Sequence, residues 1–114
     1  DNIYGNDTTD PVKSMDAAFA PAVAAGIPWA AVLGNHDQES TLTREGLMNH
    51  IVTMKHTLSL VNPPSTMKHT LSHIDGFGNY NLEVLGADGS KLQSKSVLNL
   101  YFLDSGDYPT VPSM

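Results

Sequence analysis

The chain has 114 residues, six of them basic and twelve acidic, for a net charge of −6, and it contains no cysteine. That length is enough for one ordinary domain, which buries roughly two thirds of its unfolded surface. The acidic balance argues against a nucleic-acid partner, whose phosphates call for Lys and Arg; the lack of Cys removes disulfides, thiolate metal sites and thiol nucleophiles; and no apolar run is long enough for a membrane span.

The chain opens on Asp1 and closes on "YPTVPSM" without a clear termination pattern, and is read as part of a single domain, truncated at both ends. Asn6-Asp7-Thr8 fits the three-residue glycosylation acceptor pattern, a weak pointer to an extracellular protein. Asp10-Pro11 is a good helix start, with an N-cap carboxylate followed by proline at the first helical position. Val12, Met15, Phe19 and Val23 then recur at helical spacing, predicting a helix near residues 11–25. Pro21 is expected to kink or divide it, and Gly26 and Pro28 to end it.

Trp29 to Leu33 is an unbroken apolar run of strand length, predicting an interior strand covered on both faces in a parallel sheet. It ends at Gly34-Asn35-His36-Asp37. In open α/β sheets reactive groups collect at the carboxyl ends of strands, where glycine permits close approach and Asn and His offer an oxygen donor and a proton-bearing ring. The competing reading is a plain strand-to-helix loop in which Asn35 and Asp37 bond their own backbone.

Ser40, Thr41 and Thr43 offer N-cap oxygens, and Leu47, Ile51, Met54 and Leu58 trace the stripe of a second amphipathic helix. "TMKHTLS" stands at 53–59 and again at 66–72, a local duplication within 53–72. Its histidines, His56 and His69, are read as partly exposed residues copied with their neighbours in preference to a metal pair. His50 shares a helix face with Leu47 and Met54, where a packed histidine is the usual explanation. Residues 59–78 hold the breakers "NPP" and "DGFG". Beyond them, "NYNLEVL" alternates to place Tyr80, Leu82 and Val84 on one face, and "SVLNLYFL" at 96–103 is a stronger strand. With "GADGSK" between them, the two predict a hairpin with an irregular connection.

The opening "DNIYG" bears on the "GNHD" question. A strand ending just before Asp1 would make residues 1–33 a βαβ unit with adjacent strand ends, so that Asp1, Tyr4, Asn35 and His36 would face one pocket. This pair of motifs resembles the metallophosphoesterases, and Tyr4 within "DNIYG" resembles the plant-type purple acid phosphatases in particular. "AAGIPWAAVLGNHDQES", "DGFGNYNLEV" and "SVLNLYFLDSGDY" are similar to segments of the same enzymes, so the resemblance covers nearly the whole chain. Asp37 stands where many members carry Glu.

The resemblance implies an α/β layered fold of the metallophosphoesterase type, incomplete here: a βαβ-derived segment plus a β-hairpin. It implies a binuclear centre of Fe(III) and a divalent Zn, Mn or Fe ion, acting on phosphomonoesters through a metal-generated hydroxide. By position, Asp1 resembles the carboxylate bridging both metals, Tyr4 the phenolate on iron and Asn35 the amide ligand of the divalent ion. His36 resembles the histidine that meets the phosphate or leaving oxygen without binding metal, and Asp37 is expected to orient the loop. Hard anionic oxygens suit a trivalent iron, and two close cations acidify a bound water. None of His50, His56, His69 or His73 falls in a matching block, and the family's other ligands lie outside the chain, so the chain alone is expected to be inactive. Two other readings stand beside this one: a degenerate, non-catalytic member serving as a binding or structural protein, and a phosphodiesterase on the same scaffold. Secretion is expected from the resemblance.

Overall fold

The structure, a computed structural model, describes residues 1–62, 74–109 and 111. The second "TMKHTLS" copy, with His69 and His73, lies outside them. Two helices and one antiparallel strand pair make up the regular structure, α1 (Pro11–Ala25), α2 (Arg44–Ile51), β1 (Tyr80–Leu85) and β2 (Ser96–Phe102), with a short 3-10 turn at Gly5–Asp7. The result is a small α/β arrangement, as expected. No described helix is long and apolar enough to cross a membrane.

Helix α1 forms where the spacing predicts it. The Asp10 carboxylate accepts from the Lys13 amide at 3.0 Å, and Gly26 ends the helix in the left-handed conformation at φ 66°. Pro21 does not divide it, because Pro21 is solvent-exposed and the helix runs unbroken through it. Helix α2 is shorter than its stripe. Thr43 caps its start by accepting from the Gly46 amide, but the helix ends at Ile51. The stripe fails there because Thr53 turns its hydroxyl back on the His50 carbonyl and His56 takes a positive φ of 62°. Leu58 is left half exposed.

The expected interior strand at 29–33 is the main correction. Trp29 makes one isolated parallel bridge to Thr57, and no strand forms around it among the described residues. Side chains bond this run instead of neighbouring strands: the Ser59 hydroxyl accepts from the Ala31 amide at 2.9 Å, the Tyr80 hydroxyl donates to the Ala31 carbonyl, and the Asn2 amide donates to the Val32 carbonyl at 3.0 Å. Nor is the run covered on both faces. Ala31 and Leu33 are buried while Val32 between them is only half-buried, so one side of the run feeds the core.

That core gathers Met15 from α1, Ala31 and Leu33 from the run, and Leu47, Met48 and Ile51 from α2. Phe19 stacks on Trp29 at 4.1 Å between ring centroids and extends it. The hairpin joins this body at one end only. Tyr80 is buried and stacks at 4.7 Å on its cross-strand partner Phe102, and burial pushes its phenol above the ordinary value against the hydrogen bonds to Ser59 and Ala31. Away from Tyr80 the ribbon becomes progressively bare. Leu82 is half-buried, Val84 is exposed, and Leu98 opposite it on β2 is 53% exposed, while Tyr101, next to Phe102 at the anchored end, also turns out to solvent.

Candidate functional site

The 34–37 loop sits directly on residues 1–5, and Asp37 holds the two together. Its fully buried carboxylate accepts from the backbone amides of Asn2 (2.7 Å), Ile3 (2.8 Å) and Gly34 (2.8 Å), and from the Asn2 side chain (3.1 Å). One of those bonds closes its own loop, as the plain-loop reading expects. The other three reach across some 34 residues of sequence to tie in the opening segment. Asp37 therefore orients the loop.

On this frame the Asp1 carboxylate accepts from the His36 amide at 3.0 Å, and the Gly5 amide donates to the His36 carbonyl at 3.0 Å. The approach is so close that a Cβ on Gly34 would fall against the Asp1 carboxylate. Gly34→Ala is accordingly expected to lower stability by about 1–3 kcal/mol, read from the urea midpoint. The Tyr4 ring meets the His36 ring edge-on at 5.0 Å. Asp1, Tyr4 and His36 are thus brought to one locus, with Asn35 adjoining His36 in the same loop.

Below the loop lies a clamp that sequence reasoning missed. Arg44, at the start of α2, donates to the Gly34 carbonyl at 2.7 Å and the Leu33 carbonyl at 3.3 Å, and pairs with the buried Asp104 just beyond β2. Asp104 also accepts from the amides of Phe77 (2.8 Å) and Gly106 (3.0 Å). Burial alone would raise the Asp104 pKa. Hydrogen bonds from Arg44, Phe77 and Gly106, with the Arg44 charge, outweigh it and hold the carboxyl below its ordinary value of 3.8.

Two further residues belong to the site. Glu39 Oε2 lies 2.7 Å from His36 Nδ1, and the Tyr108 hydroxyl donates to Glu39 Oε1 at 3.2 Å. Desolvation first, then the carboxylates of Glu39 and Asp107, push the Tyr108 phenol above its ordinary value against a hydrogen bond with Asn35. Glu39, three residues after His36, was in principle legible in the sequence. Tyr108, 72 residues away, carried no local signal.

Among the described residues no three His, Cys, Asp or Glu side chains gather to hold a metal ion. The donors at this locus are Asp1, Tyr4 and Asn35, a carboxylate, a phenol and an amide on two adjoining loops. This set fits part of the coordination sphere of a hard cation. Of the Asp1 oxygens, Oδ1 is the one that accepts from His36.

The two helices and the antiparallel strand pair are consistent with part of a metallophosphoesterase fold. The chain is 65% identical over its whole length to a protein of Arabidopsis thaliana named probable inactive purple acid phosphatase 29, covering 28% of that relative. It is 58% identical over 95% of its length to probable inactive purple acid phosphatase 14 of the same plant, covering 26% of it, and 38% identical over 82% to phosphatase DCR2 of Saccharomyces cerevisiae, covering 15%. The chain belongs to the purple acid phosphatases and spans about a quarter of the length of the plant relatives it matches. No family model matches it, and no solved structure does.

Proposed function

We propose that the protein carrying this chain is a binuclear-metal acid phosphatase acting on phosphomonoesters, and that residues 1–5 and 34–37 supply part of its centre. The reading is supported above all by the Asp37 hydrogen bonds, which fix Asp1 beside the 34–37 loop. Asp1, Tyr4 and Asn35 would hold Fe(III) and a divalent Zn, Mn or Fe ion. When bound, such a pair supplies Lewis acidity and an acidified water. The chain's own contribution is positional. Asp37 and Gly34 keep Asp1 against the loop, and His36, about one-third exposed, meets a phosphate oxygen or protonates the leaving oxygen. An extracellular location belongs to the same reading, and the sequon residue Asn6 is exposed.

A second reading is favoured by the words "probable inactive" in the names of the plant relatives: a family member that binds phosphate or metal without turning substrate over. One experiment separates the two. Iron-loaded protein carrying the chain is assayed on nitrophenyl phosphate while its visible absorbance is recorded, with Tyr4→Phe as control. Turnover together with a visible band that Tyr4→Phe abolishes supports the enzyme, and the band without turnover supports the non-catalytic member. Absence of both from folded, iron-loaded protein rejects the metal centre.

A further inference from the structure

We propose that Tyr108 is a positioning residue for His36, acting through Glu39; the proposal rests on the reading of His36 as the group that meets the phosphate. Glu39 uses its two oxygens differently. Oε2 faces His36 Nδ1 at 2.7 Å, where a carboxylate can only accept, while Oε1 accepts from the Tyr108 hydroxyl at 3.2 Å. A carboxylate on Nδ1 fixes the proton there and leaves Nε2 as the nitrogen that can meet a phosphate or a leaving oxygen. A glutamate by itself is a loose partner, because its side chain has several rotamers. The phenol restricts those rotamers by holding the second oxygen.

Tyr108 acts on the ring directly as well. Its hydroxyl lies 3.4 Å from Nδ1, and its own ring meets the imidazole edge-on at 6.1 Å, while Tyr4 packs edge-on at 5.0 Å. Two aromatic edges and one carboxylate thus limit how the imidazole can turn. Tyr108 reaches this position because Asp104, four residues earlier, is anchored on Arg44, the same residue that holds the Leu33 and Gly34 carbonyls.

The test uses the protein carrying the chain, labelled with 15N-histidine and free of metal, in its native form and as Tyr108→Phe and Glu39→Gln. Two-bond proton–nitrogen spectra report which nitrogen of His36 is protonated, and nitrophenyl phosphate kinetics follow on the iron-loaded forms. In the native protein His36 is expected to be protonated on Nδ1. Tyr108→Phe should shift its nitrogen resonances toward a mixture of tautomers and lower kcat about tenfold, as for one hydrogen bond, with KM within about twofold. Glu39→Gln should move the same resonances further. Unchanged His36 resonances in both variants overturn the proposal. If Tyr108→Phe fails to fold, nuclear Overhauser contacts between the Tyr108 and His36 rings in the native protein decide: their presence supports the proposal and their absence overturns it. Shifted His36 resonances in a protein without phosphatase activity would support the positioning role while rejecting the catalytic reading of His36.

Discussion

Asp37→Ala is expected to cost about 3 kcal/mol of stability, because it strands the backbone amides of Asn2, Ile3 and Gly34 around one buried site at about 1 kcal/mol or more each. Asp37→Asn keeps the shape and one acceptor oxygen, but turns an amide NH2 toward donors. About half the loss should therefore remain. Urea denaturation followed by circular dichroism measures both, and the Asp1–His36 contact supplies a local check, since the His36 amide resonance should lose its carboxylate partner as the segments separate. An Asp37→Ala variant within about 1 kcal/mol of the parent would show that the two segments are held by something other than this carboxylate.

The second large effect lies at Arg44. Arg44→Met should destabilise by about 3–5 kcal/mol, since removing one partner of a buried pair leaves the other charge uncompensated. Arg44→Met with Asp104→Asn should recover part of that loss, because no buried charge remains. The pH dependence gives an independent check. Asp104 is held below its ordinary 3.8 in the folded state, so its contribution is complete above the unfolded pKa and is lost as the pH falls through the lower folded value. In Arg44→Met the Arg44 hydrogen bond and charge no longer oppose burial, the Phe77 and Gly106 amides alone remain to do so, and the carboxyl pKa rises. The gap between parent and variant should therefore be widest near neutrality and close below about pH 4. A gap that is the same at acid and neutral pH would place the role of Arg44 in its bonds to the Leu33 and Gly34 carbonyls alone.

What could be read from the residues was what local chemistry decides. Asp10-Pro11 and Gly26 set the limits of α1, alternation located β1, and the apolar run at 96–103 located β2. The 29–33 run misled because hydrophobicity reports burial and not the identity of the hydrogen-bond partner, and the partners here are side chains at Ser59, Tyr80 and Asn2. The stripe of α2 outran the helix because periodicity does not register a residue such as His56 in a left-handed conformation. Asp1, Tyr4, Asn35 and His36 were picked out by the resemblance of "DNIYG" and "GNHD" to the family's motifs. Arg44 and Tyr108 were missed because their contacts with Asp104 and His36 span 60 and 72 residues, separations that no local pattern encodes, whereas Glu39 stands only three residues after His36 and was overlooked.

The exposed apolar side chains of the β1–β2 ribbon have a practical consequence. Leu85, Leu98, Leu100 and Tyr101 face solvent on a pair of strands that, among the described residues, has no third strand beside it. Open edges carrying apolar side chains template intermolecular pairing. Handled as a purified polypeptide, the chain should become turbid with rising concentration, and charged replacements at Leu98 and Tyr101 should be the most direct way to keep it dispersed.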